Sequence, residues 1–80
     1  MTKKSLTRDE VFLAKLRDLS KAKGDEFQEI DRYVVGQAIG QNNRSVDNMV
    51  RMLAQTNFIK KGEEDAIYLT GNGLSLLASL

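Results

Sequence analysis

The side chains best equipped to recognise a partner lie between positions 41 and 61, where Gln41, Asn43, Arg44, Ser45, Asp47, Asn48, Arg51, Lys60 and Lys61 are grouped. The guanidiniums of Arg44 and Arg51 carry planar forks of donors that fit guanine O6 and N7, or a phosphate. Asn43 and Asn48 each pair a donor with an acceptor, as adenine N6 and N7 require. Ser45 and Gln41 suit a phosphate or a single base edge, and Lys60 and Lys61 can position a sugar–phosphate backbone. Asp47 can accept from cytosine N4 or orient Arg51, four residues along. Charge is segregated in the same way: residues 1–23 carry +4, 24–40 carry −3, 41–61 carry +3 and 62–80 carry −3, within a net charge of +1.

A helix is needed to hold this set outward, and the spacing predicts one over about 43–56. Val46, Met49, Val50 and Leu53 fall at i, i+3, i+4 and i+7, a single buried stripe that leaves the polar residues outside it. Asn42 can cap its start. Before it, Val35, Ala38 and Ile39 recur at helical spacing up to Gly40, which can end a helix in the left-handed conformation. Asn57 can do the same after the second helix.

The flanking segments supply the rest of a small core. Thr7 and Glu10 make a capping box, with Leu6 and Val11 placed as a hydrophobic staple, so a first helix begins near Arg8. Phe12, Leu13, Leu16 and Leu19 give it an apolar face, and Lys23-Gly24-Asp25 ends it. Asp25 and Asp31 can each cap the next helix; the shorter helix, from Asp31, is preferred. Phe27 and Ile30 then pack under the domain, Ile30 in a short first strand, and Tyr33 packs with its hydroxyl at the edge. Residues 58–61 and 66–70 read as two strands joined by the acidic tip Gly62-Glu63-Glu64-Asp65. Thr70 can cap a last helix over 71–80, on which Leu74, Leu77 and Leu80 form one row and Leu76 falls off it, exposed. That row either closes the core or forms a contact between subunits.

In this order the segments resemble the helix-turn-helix of winged-helix regulators. The run AIG, QN, NRSVDNMVRM, L, AQT, Asn57, Phe58-Ile59 follows that pattern without a gap, with Asn57 where the family usually has Gly. IYLTGNGLSLL is similar to the second wing strand and the Leu-Thr-x-x-Gly helix start of MarR-like and related families. The resemblance spans roughly residues 30 to 77. It implies an α+β, mainly α, winged helix: a three-helix core with helix-turn-helix, a two-stranded β-wing and a short C-terminal helix. At 80 residues the chain is expected to form a single domain over 1–80, with 1–5 as a flexible N-terminal arm.

The function implied is a sequence-specific, DNA-binding transcriptional regulator that places the helix around 43–56 in the major groove of double-stranded DNA. Such regulators dimerise through terminal helices, so Leu74, Leu76, Leu77 and Leu80 are the candidate homodimer contact. The alternative is a winged-helix adaptor that binds protein and no DNA, which the acidic tip and the near-zero net charge favour. Composition argues against an enzyme, because with no Cys and no His the chain lacks thiol and imidazole chemistry. No metal or cofactor is expected. No apolar run approaches the ~18 residues of a membrane span, and no apolar signal core follows Met1, so a cytoplasmic location is expected.

Overall fold

The computed structural model describes residues 6–80, and the arm expected over 1–5 lies outside them. Four helices and three short strands follow in the order α1 (Arg8–Lys23), β1 (Ile30–Asp31), α2 (Arg32–Ala38), α3 (Asn43–Gln55), β2 (Ile59–Lys61), β3 (Ala66–Leu69) and α4 (Gly71–Ala78). The class is α+β and mainly helical.

Local signals set most boundaries. Thr7 Oγ1 accepts from the Glu10 amide at 3.2 Å while Glu10 Oε1 accepts from the Thr7 amide at 2.8 Å, so the capping box opens α1. Leu6 and Val11 remain 45% and 37% exposed, so hydrogen bonds rather than a closed staple define this end. Asp31 Oδ1 accepts from the Tyr33 amide at 2.8 Å, and α2 is the shorter of the two helices that the sequence allows. Ala38, expected on the apolar face of α2, is exposed, and the buried positions are Val35 and Gly36.

Phe27 does not pack beneath the domain; it is 46% exposed. Asp25 Oδ1 takes the Phe27 amide at 2.8 Å and Asp25 Oδ2 takes the Gln28 side chain at 3.1 Å, a local turn that throws the ring outward. Ser20, buried at the end of α1, is satisfied by donating to the Gln28 carbonyl at 3.0 Å.

The hairpin belongs to a three-stranded antiparallel sheet of order β1-β3-β2, in which the short first strand expected at Ile30 lies beside β3. Ile30 pairs with Ile67 and Asp31 with Ala66 on one side of β3, and Ile59 with Leu69 and Lys60 with Tyr68 on the other. The first strand is pinned just beyond its end, where the Arg32 amide donates to the Asp65 carbonyl at 3.0 Å.

A single core joins the layers. Phe12, Leu13 and Leu16 of α1 meet Val35 of α2, the Val46, Met49, Val50 and Leu53 stripe of α3, Ile59, Ile67 and Leu69 of the sheet, and Leu77 of α4. Thr70 caps α4 by accepting from the Gly73 amide at 3.1 Å. The helix stops at Ala78, short of Leu80, and Leu76 packs against the core instead of standing exposed. The cause is geometric: α4 lies across α1 and β3, so its two adjacent leucines both reach the core. Leu77 is 7% exposed and Leu80 46%, which separates a core leucine from a surface one within the row. No helix among the described residues is long and apolar enough to cross a membrane.

Candidate functional site

The site is built on α3, and both ends of that helix are fixed. Gly40 takes φ +73°, its amide donates to the Gln37 carbonyl at 3.2 Å, and the Gln41 amide donates to the Gly36 carbonyl at 2.9 Å. These two bonds close the end of α2. Asn42 Oδ1 then accepts from the Ser45 amide at 2.9 Å and opens α3. The two helices touch where Gly36 meets Val46; a Cβ at Gly36 would collide with Val46 Cγ2. At the far end Asn57 takes φ +66°, and the Phe58 amide returns to the Leu53 carbonyl at 3.0 Å. Thr70 Oγ1 donates to the Asn57 carbonyl at 2.6 Å, which ties the exit of α3 to the start of α4.

Opposite the buried stripe the side chains fall into three strips. Arg44, Asn48, Arg51 and Gln55, at i, i+4, i+7 and i+11, form the exposed centre. Gln55 was not among the residues singled out from sequence, although the same spacing selects it. Ser45 and Met52 lie on the flank toward α1, while Asn43 and Asp47 lie on the flank toward α2. Asn43, Arg44, Asn48 and Arg51 are exposed, and their side chains make no hydrogen bond or ion pair with a described residue. Gln41 is half-buried in the turn.

Asp47 is engaged inside the domain. The Tyr33 hydroxyl donates to its Oδ1 at 2.8 Å, and Arg32 Nη1 lies 3.8 Å from the same oxygen. Arg51, the partner expected from the four-residue spacing, is not paired with it. Tyr33 and Arg32, both half-buried on α2, hold the carboxylate instead. The accepting Asp47 carboxylate, then burial, then the charges of Asp47 and Asp65 raise the Tyr33 phenol above its ordinary value, against a smaller opposing effect of Arg32. Arg32 reaches further, because its Nε donates to the Asp65 carbonyl at 3.0 Å. One guanidinium thereby connects α3 with the hairpin tip.

Lys60 and Lys61 are exposed on β2, but as consecutive strand residues they alternate faces and do not act as a pair. The tip residues Glu63, Glu64 and Asp65 are exposed, and they share a hollow of about 280 Å³ with Lys23, Glu29 and Asp31. A second hollow, about 380 Å³, lies between the start of α1 and α3 and is lined by Thr7, Arg8, Asp9, Ser45, Asn48, Met49 and Met52. No residue belongs to both. Arg8 is the main residue that sequence reasoning missed: its Nη1 lies 3.5 Å from Ser45 Oγ, across a separation of 37 residues that no local spacing encodes. The only signal was the positive charge of the first segment.

No group of three or more His, Cys, Asp or Glu among the described residues is placed to hold a metal ion. Comparison with known protein families, with curated proteins and with solved structures found no match.

Proposed function

We propose that the chain is a winged-helix, MarR-like DNA-binding domain of a cytoplasmic transcriptional regulator, with α3 in the major groove of double-stranded DNA. The observation that carries this reading is the outer face of α3, where Arg44, Asn48 and Arg51 stand exposed and unengaged by any described residue. A helix held at both ends presents such donors and acceptors in fixed positions, which is what reading base edges demands. The order of α2, turn, α3 and hairpin is compatible with the fold. Asn43, Gln41 and Ser45 serve the rim of the contact, and Lys60 or Lys61 meets the backbone. Asp47 holds α3 in place rather than touching a base. No catalytic step, metal or cofactor enters the reading.

A two-fold contact through the end of α4 remains part of the proposal, resting on exposed Leu80 and half-buried Leu74 and Leu76, since Leu77 is committed to the core. One observation favours the adaptor reading: the carboxylates of Glu63, Glu64 and Asp65 are exposed at the hairpin tip, where phosphate would be repelled. The test is titration of a labelled random duplex at two salt concentrations. DNA binding gives an affinity that falls linearly with salt on logarithmic axes. No binding at low salt leaves the adaptor.

A further inference from the structure

We propose that the cleft between the start of α1 and the flank of α3 holds a backbone phosphate of duplex DNA, with Arg8 as its cation. This rests on the DNA reading and extends the contact beyond α3. The cleft has a volume of about 380 Å³ and draws Arg8 and Asp9 from one helix, Ser45, Asn48 and Met52 from the other. Arg8 is exposed, and its one side-chain bond among the described residues, to Ser45 Oγ at 3.5 Å, is at the outer limit of a hydrogen bond. Neither ion pair among the described residues involves Arg8 or Asp9.

A guanidinium whose remaining donors no described residue takes, beside a hydroxyl and an amide, is the donor set of a phosphate contact. Asn48 belongs both to the cleft and to the exposed row of α3, so a strand whose bases meet that row has its backbone at the cleft's edge. The acidic hollow at the hairpin tip shares no residue with the cleft and does not oppose the anion locally. Asp9 does, so Arg8→Gln leaves the cleft net negative.

The test compares the full chain with Arg8→Gln, with Lys21→Gln as an equal charge change at the exposed far end of α1, and with Arg44→Ala, each titrated with duplexes of several sequences over a range of salt. Arg8→Gln is expected to weaken all sequences equally and to make the slope of log K against log salt shallower by about 0.9, one phosphate contact on B-DNA. Lys21→Gln is expected to leave the slope unchanged. A parental slope in Arg8→Gln, or an equal loss in Lys21→Gln, overturns the cleft proposal; loss of binding in Arg44→Ala then shows that the DNA reading survives it. A parent chain that binds no duplex overturns both.

Discussion

The Tyr33 hydroxyl donates to Asp47 Oδ1 at 2.8 Å, joining the first turn of α2 to the outer flank of α3. With the Gly36–Val46 contact on the inner side, it sets the relation between the two helices from both faces. A residue that looked suited to a base is thus spent on orientation.

Tyr33→Phe is therefore expected to lower the unfolding midpoint while the helix content stays intact. The sign with pH follows from the raised phenol. A group whose folded value lies above its unfolded value of about 10 contributes stability below that value and loses it as pH rises through the folded one. Denaturation of the parent and Tyr33→Phe, at neutral pH and in strong alkali, should show a gap that closes in alkali. A gap independent of pH contradicts the bond.

Gly36→Ala places a methyl against Val46 Cγ2. Overpacking of this kind costs about 1–3 kcal/mol, partly offset by the gain of about 1 kcal/mol from replacing glycine within a helix. The expectation is a less stable domain, with Val46→Ala recovering part of the loss in the double variant. Urea denaturation of the cycle measures it, and additive losses would mean that the helices are further apart.

Asn57, at φ +66°, should tolerate glycine and resist alanine. The left-handed conformation costs a residue with Cβ roughly 1–2 kcal/mol, which asparagine partly recovers through local hydrogen bonds. Asn57→Gly is expected to match or exceed the parent in thermal stability, and Asn57→Ala to fall below it.

These caps were legible in the sequence because each is local: Thr7 with Glu10, Asn42 with Ser45, and Gly40 and Asn57 after apolar stripes. The stripe of α3 was equally legible, since four apolar residues at one period dictate a buried face. What escaped depends on tertiary placement. Phe27 was expected beneath the domain from its apolar character, whereas the Asp25 turn leaves it 46% exposed. Leu76 was read from its own helix, whereas the surface beneath α4 buries it. Asp47 has a plausible partner at i+4, and only the fold shows that Tyr33 and Arg32 reach it first.

Leu77 of α4 and Leu80, just beyond its end, should respond oppositely to charge. Leu77→Lys buries an unpaired ammonium and is expected to cost on the order of several kcal/mol, enough to unfold a domain of this size. Leu80→Lys leaves the fold intact, and sedimentation at high concentration then reports whether the exposed end of α4 had joined two copies. Unchanged sedimentation of an already monomeric parent removes the two-fold contact.

The most direct measurement is the affinity of the parent, Arg44→Ala and Arg51→Ala for duplex DNA, with circular dichroism as the check on fold. Both arginines are exposed and outside the buried stripe, so both variants should keep the parent's structure. Each is expected to bind more weakly, and at least one to lose about 1–3 kcal/mol of discrimination between sequences. Folded variants that bind every duplex as the parent does would contradict the assignment of α3 as the reading helix.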